Sequence, residues 1–439
     1  MLDRSEARMD RGLKRKGFGA IGVLLCAMAM QAGAATITIT NTNDSGPGSL
    51  RQVLAIANDG DTINFAVTGN IGLTSGGLVI DKSVTISGPG ANELSIDGNQ
   101  GDFVFAVDPD KTATISGLTI RNGQFGIGNV GTLAVNDCTI SDNSSVGLSN
   151  IANGQTSTNA TLTIANSVVS DNSGPGVFNG AFMASATVTI LNSTLAGNGG
   201  GIYTSGFEGG TSVTVSDSTI SGNSADLGGG IYSNWSAVTI VNSTLSGNSA
   251  GTSGGGIYAE GPLVEISNST ISRNSAGTSG GAIFDNTYGY VRIDNSTLNG
   301  NSAGSGGGIY TVSGVDLSNT ILNAGAFGEN IFNNGGVVTS YGYNLSSDDG
   351  GGYLTGAGDQ INTDPLLGPL QNNGGPTFTH ALLLRSPAMD AGDLSFTPPP
   401  SYDQRGFPFV RVFSGRIDIG SFEAQPRHPT PHPRPTPPR

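Results

Sequence analysis

Residues 213–232 read VTVSDSTISGNSADLGGGIY. The same sentence returns as VTIVNSTLSGNSAGTSGGGIY (238–258), VEISNSTISRNSAGTSGGAIF (264–284) and VRIDNSTLNGNSAGSGGGIY (291–310), and VDLSN (315–319) begins it again. The copies start at Val213, Val238, Val264, Val291 and Val315, so they are spaced by 25, 26, 27 and 24 residues. Self-similarity at such a period is the signature of a solenoid. The unit is rich in Gly, Ser, Thr and Asn and lacks any run of good helix formers, which excludes helical repeats. It holds instead three short pieces of period-two alternation, in the second copy Val238–Ile240, Ser243–Leu245 and Gly256–Tyr258. Asn242 separates the first two, and residues 248–255 form a longer loop before the third. Three strands per turn, each paired with its copy one turn away at roughly 4.8 Å, predict an all-β fold, a right-handed parallel β-helix.

Looser copies of the first strand begin at Val84, Ala113, Leu133, Leu162 and Val188, which brings the array to about ten coils. One coil buries too little to stand alone, so the stack needs capped ends. The best helix in the chain, Ser49–Gly60, supplies one cap. Ser49 and Gln52 form a capping box, Leu50, Val53, Leu54 and Ala57 share an apolar face, and Gly60 stops it. Placed over the first coil, it shields strand edges that would otherwise invite aggregation.

Residues 1–34 read as a secretory signal. Arg11, Lys14, Arg15 and Lys16 precede an apolar run from Phe18 to Met30, and Ala32, Gly33 and Ala34 offer the small-residue cleavage site. That run is too short to span a bilayer. Beyond it the chain keeps 13 of its 19 basic and 30 of its 33 acidic residues, a net charge of −17. Such a surface repels nucleic acid and anionic membranes, and it argues against binding acidic polymers such as pectate unless cations bridge them. Cys138 is the only cysteine past the signal, so no internal disulfide is expected; it reads as a small core residue. The expected organisation is a signal (1–34), a cap and first coil (35–83), the β-helix (84–314), a small β-rich end domain (315–425) and a proline-rich tail (426–439).

The opening ITITNTNDSGPGSLRQVLAIANDGDTINF (37–65), together with DPLLGPLQNNGGPTFTHALL (364–383), SPAMDAGD (386–393), DQRGFP (403–408) and DIGSFE (418–423), resembles bacterial surface proteins of a particular kind. These carry parallel β-helix repeats and a choice-of-anchor end domain of type Q. The GGGIY and GGAIF motifs are also similar to the repeats of polymorphic outer-membrane proteins. The resemblance implies export and surface display and names no activity. No sortase motif or hydrophobic segment follows DIGSFE here, and no autotransporter-like barrel strands are present.

Few residues of the chain carry the makings of catalysis. The basic residues of the repeats, Lys111, Arg121, Arg273 and Arg292, do not share a repeat position and read as solvated surface. Asp348-Asp349 and Asn362-Thr363-Asp364 are similar to polygalacturonase motifs but stand in reversed order outside the repeats. Asp217 and Asp294 read as turn acceptors. His380 lies in the end domain while His428 and His432 lie in the tail, which leaves no histidine metal site. Asp390, Asp393, Asp403 and Asp418, with Glu423 nearby, concentrate acid in the end domain, where they would either bind a Ca²⁺ ion or cap turns. The sequon asparagines Asn192, Asn242, Asn268 and Asn295 recur with the repeat and predict an amide ladder at a tight turn. One feature has the shape of a binding site. In GGGIY the Ile points inward and the next residue outward, so Tyr203, Tyr232, Tyr258, Phe284 and Tyr310 should form an aromatic column, which either contacts sugars or stabilises the ladder by stacking or beneath the long loops. The reading is an exported, adhesin-like or glycan-binding surface protein without an identifiable catalytic site or required cofactor. The alternatives are a polysaccharide lyase or glycoside hydrolase of the pectate-lyase-like β-helix type, or a structural spacer.

Overall fold

The computed structural model describes residues 33–155, 159–286 and 288–425. The signal segment, apart from its last two residues, and the proline-rich tail lie outside the described residues. Three parallel sheets of 13, 12 and 11 strands wind into a right-handed β-solenoid of about twelve turns. The aligned repeats pair as expected: Val213, Val238, Val264, Val291 and Val315 are successive partners on the first face. Ile220, Leu245, Ile271, Leu298 and Leu322 follow on the second, and Ile231, Ile257, Ile283, Ile309 and Ile331 on the third. All of these side chains are buried in one continuous core. The stack exceeds the ten coils counted from the motif because it extends at both ends. It begins before Val84, with Thr36–Ile39 and Thr62–Phe65, and runs past residue 314 to Val337–Ser340 and Leu345–Ser346. In those turns the motif has drifted while the alternation persists.

Polar ladders run beside the aliphatic columns. The sequon asparagines do sit at a left-handed turn, with φ of 44° at Asn192 and 51° at Asn242. Their amides link coil to coil, Asn192 donating to Asn166 at 2.7 Å and Asn268 to Asn242 at 2.7 Å. A second ladder, not anticipated, is fully internal. Asn143, Asn172, Asn198, Asn223, Asn248, Asn274 and Asn301 pass a hydrogen bond from Nδ2 to the next Oδ1 at 2.8–3.0 Å. Behind the outer turn, Ser167, Ser193, Ser218, Ser243, Ser269 and Ser296 accept on Oγ from the backbone N–H one coil earlier. Cys138 stands at the head of that serine column, buried, its thiol pushed up to about 11 by desolvation. The loop 248–255 is partly ordered into a further three-stranded ribbon, Ser224–Leu227, Ser249–Ser253 and Ser275–Ala276. Its glycines allow close approach: a Cβ on Gly255 would lie 2.3 Å from the Ser275 carbonyl oxygen.

The N-terminal helix spans Leu50–Ile56, with Ser49 as N-cap accepting from the Gln52 N–H. The Gln52 side chain reaches back to the Gly48 N–H, one residue before the expected partner. Leu50, Val53, Leu54 and Ala57 join the solenoid core, so the helix does close this end.

The described residues beyond Ser346 contain little sheet, a single antiparallel pair of Leu367–Gln371 with Thr379–Leu382 and a few isolated bridges. This segment folds back along the outside of the second face. Thr244 donates to the Phe378 carbonyl at 2.6 Å, and Thr270 donates to Gln404 at 2.6 Å. Thr297 accepts from the Ser421 N–H at 3.1 Å. Leu382, Ala388, Ile419 and Phe422 share an apolar cluster with Ile321 and Leu345 of the solenoid. The segment's own pin is Arg405, ion-paired with Asp403 at 2.5 Å and sandwiched 3.8 Å from the rings of both Phe409 and Phe422.

Candidate functional site

The aromatic column forms and is longer than expected. Phe178, Tyr203, Tyr232, Tyr258, Phe284, Tyr310 and Phe332 stack with centroids 4.7–5.4 Å apart and planes within 10–21°. That geometry follows from identical register one coil apart, and it has a consequence for recognition. Each inner ring has both faces covered by its neighbours, so solvent meets ring edges and hydroxyls. The rings also lean along their strands: a Phe178 ring atom lies 2.8 Å from where a Cβ on Gly180 would sit. Tyr258 is only 9% exposed and accepts from Asn286 Nδ2 at 2.8 Å. Burial pushes the hydroxyl of Tyr232 up to about 12.

A second aromatic row, absent from the sequence reading, stands on the same face at its far edge. In Ile202–Phe207 burial alternates strictly, so Tyr203, Ser205 and Phe207 all point outward. Tyr203 and Phe207 are four residues apart, roughly 13 Å along the strand. Phe182 pairs with Phe207 in register, and their rings stack at 5.6 Å. Trp235 and Tyr288 continue the edge with rings 5.1 Å apart. These rings are open to solvent, Phe207 59%, Trp235 52% and Tyr288 61% exposed. Between the two rows, Gly180, Ser205, Asn234 and Glu260 occupy one register position in four successive coils. The two rows flank a strip of the third face that runs parallel to the solenoid axis. Ring edges and tyrosine hydroxyls line one side, and the solvent-exposed side chains of Phe207, Trp235 and Tyr288 line the other.

Around the corner, on the first face, Glu265, Arg292 and Asp316 are register partners in three consecutive coils. Arg292 also pairs with Asp294 at 2.7 Å, and the Tyr290 hydroxyl donates to Asp316. That bond pushes the Tyr290 hydroxyl up to about 12, and burial raises the Asp294 carboxyl. Arg292 is solvated, as expected, but it is paired, and Asp294 is its partner rather than a turn acceptor. Aligning the repeats at their second residue would have shown this charged column.

The remaining candidates are accounted for structurally. Asp217 accepts from Asn242 in the outer ladder at 3.2 Å. Lys111 and Arg121 make long ion pairs with Asp59 at 3.9 Å and Asp97 at 3.4 Å. Asp348 accepts from the N–H groups of Asn330 and Gly350, and Asp349 from that of Gly351. His380 is buried where the end segment meets the second face. Its Nδ1 bonds the Gly368 carbonyl at 2.7 Å, and its Nε2 faces Ser272 Oγ at 2.9 Å and Asn299 Nδ2 at 3.1 Å. Burial and the nearby Arg273 charge lower its pKa. Asp390, Asp393, Asp403 and Asp418 do not converge on a cation site. Asp403 is taken by Arg405, Asp418 accepts from the N–H groups of Asp390 and Ala424 at 2.6 Å each, and Asp393 caps Ser395. Among the described residues no group of three or more His, Cys, Asp or Glu is placed to hold a metal ion. Nor, among them, is any helix long and apolar enough to cross a membrane.

No protein-family profile and no curated protein matches the chain. Solved structures do. Pectate lyase Pel9A superposes with a TM-score of 0.51 at 14% identity, over 90% of this chain and 98% of its own. The catalytic unit of the GH87 α-1,3-glucanase from Streptomyces thermodiastaticus gives 0.48 at 16% identity, over 74% of this chain and 66% of its own. An alginate lyase from Paenibacillus sp. gives 0.39 at 16% identity, over 68% and 98%. The first of these likenesses places the chain in the pectate-lyase-like β-helix fold.

Proposed function

We propose that the protein is an exported, non-catalytic polysaccharide-binding solenoid that holds a glycan chain on this strip of its third face. The observation that carries this reading is the row Phe207, Trp235 and Tyr288, whose rings stand open beside hydroxyls and amides at coil spacing. Aromatic faces pack on the apolar faces of sugars, while Tyr203 and Tyr232, with Ser205, Asn234 and Glu260, supply polar contacts along the strip. A linear polymer laid along the axis meets a ring edge of the inner column about every 4.8 Å, which suits a repeating ligand. The pectate lyase that shares the fold acts on a polysaccharide by its name, in keeping with a carbohydrate partner. The end segment is then the anchor-associated part, and export follows from the signal reading of residues 1–34.

The test is binding to a panel of soluble polysaccharides by affinity electrophoresis. Trp235→Ala with Tyr288→Ala should weaken the best binder at least tenfold with little change in melting temperature. Unchanged binding would remove the strip from this account. The charged column Glu265–Arg292–Asp316 favours a second reading, a hydrolase or lyase. Release of new reducing ends or unsaturated ends from the same panel, abolished by Asp316→Asn, would establish that reading over the first.

A further inference from the structure

Where the end segment lies against the second face it leaves a groove of about 410 Å³, lined by Arg273, Asn299, Asn323, Asp364, Gly368 and His380 among others. Arg273 is unusual in three respects. It occupies the turn position held by Gly222, Gly247 and Gly300 in neighbouring coils, at φ +56° against their +64°, +63° and +68°. Left-handed backbone disfavours a long side chain; the Asp142 and Asp171 found at this position earlier tolerate it better. Its guanidinium makes no hydrogen bond or ion pair among the described residues, although the chain beyond residue 34 is strongly acidic. Finally, its side chain lies along the next coil, its Cγ 3.7 Å from where a Cβ on Gly300 would sit, toward Asn299 and the groove.

The rest of the groove limits what that guanidinium can take. A planar fork of N–H donors matches a carboxylate in bidentate fashion. Asp364 keeps one oxygen on the Leu366 N–H at 2.9 Å and offers the other to hydroxyl donors, while its charge disfavours a multiply charged anion. Asn323 donates to Asn299 at 2.6 Å and has its own carbonyl oxygen left to accept. His380 has both ring nitrogens engaged and serves as a fixed neutral floor. The volume falls in the range of small-ligand sites. We infer that this groove binds a hydroxylated monocarboxylate, a uronic-acid residue of a glycan, through Arg273. The site is separate from the aromatic strip and does not depend on it.

The experiment titrates the full chain with galacturonic acid and with galactose by calorimetry at low salt. Galacturonic acid should bind with a Kd of about 1 mM or tighter, and galactose at least tenfold more weakly. Arg273→Gly restores the residue that neighbouring coils carry, so it should fold at least as well as wild type while losing at least tenfold in affinity for galacturonic acid. Asp364→Asn should bind galacturonic acid more tightly. Trp235→Ala with Tyr288→Ala should leave this affinity unchanged, which separates failure of the groove from failure of the strip. Equal binding of the two sugars, no binding of galacturonic acid, or full retention of binding in Arg273→Gly would each overturn the proposal.

Discussion

Asn248 is a small residue with a large structural share. Its Oδ1 accepts from the backbone N–H and the Nδ2 of Asn223 at 3.1 and 3.0 Å, and its Nδ2 donates to the Ile220 carbonyl at 3.0 Å and to Asn274 at 2.9 Å. All of this happens out of contact with water, so removing the amide strands donors and acceptors on two coils. Asn248→Ala should therefore cost about 3 kcal/mol or more in denaturant unfolding. Asn192→Gly, in the exposed outer ladder and compatible with its positive φ, should stay within about 0.5 kcal/mol. Asp285 makes the opposite case. It is fully buried, with one oxygen satisfied by Thr311 and the Gly314 N–H and the other without a partner among the described residues. Burial pushes its carboxyl up to about 6 from an ordinary 3.8. Since the folded state holds the proton more tightly than the unfolded chain, this group's contribution is complete below about pH 3.8 and is lost as pH rises through 6. The melting temperature of wild type relative to Asp285→Asn should thus fall between pH 4 and pH 6 and be flat above about pH 7. A difference independent of pH would show that Asp285 stays ionised.

At the scale of elements, the helix Leu50–Ile56 and the aromatic column are both end-to-end devices, one closing the stack and one running along it. Leu50→Asp with Leu54→Asp should lift the helix off the first coil and expose the edge beneath it. Size-exclusion chromatography should then show soluble oligomers; a monodisperse, fully folded variant would show that the helix is dispensable as a cap. Tyr258, with both ring faces covered, should act mainly through stability. Tyr258→Ala is expected to lower the melting temperature, with a ring-pair loss of about 0.5–1.5 kcal/mol beyond the buried area. The helix was legible from its capping residues and apolar spacing, and the column because it sits inside the aligned repeat, where alternation fixes inside and outside. The outer row was not. Phe182 and Phe207 close strands that run longer than the GGGIY motif, and Trp235 and Tyr288 fall in the connections of later coils, so no alignment of the motif brings them together. The internal asparagine ladder escaped for a different reason: Gly-Asn-Ser reads as a solvated turn, and period alone does not distinguish a turn that points inward.

The whole molecule couples a solenoid that could in principle be extended indefinitely to a flank that could not. Three sheets close on one another without residues 366–425, and the apolar columns inside them owe nothing to that segment. On the outside of the second face, however, Thr244, Thr270 and Thr297 are buried to 1% or less only because the segment lies on them, whereas Val168 at the same position upstream is 40% exposed. Ile321 and Leu345 owe their apolar environment to Leu382, Ile419 and Phe422 in the same way. The buried charge of the flank also bears on the solenoid: Arg411, fully buried beside Glu423 and Asp418, donates to the Gly420 carbonyl at 2.6 Å and to Asn295 Oδ1 of the outer ladder at 3.1 Å. A chain ending at residue 365 should therefore keep the far-ultraviolet circular dichroism of the β-solenoid while exposing a polar threonine row and a small apolar patch at its C-terminal coils. Its melting temperature should drop and concentration-dependent association should appear, since exposed apolar surface beside unpaired groups promotes contact between copies. A truncated chain that is monomeric and melts with the full-length protein would mean that the flank merely rests on the second face, and the groove at Arg273 would then lose the fixed wall that its ligand requires.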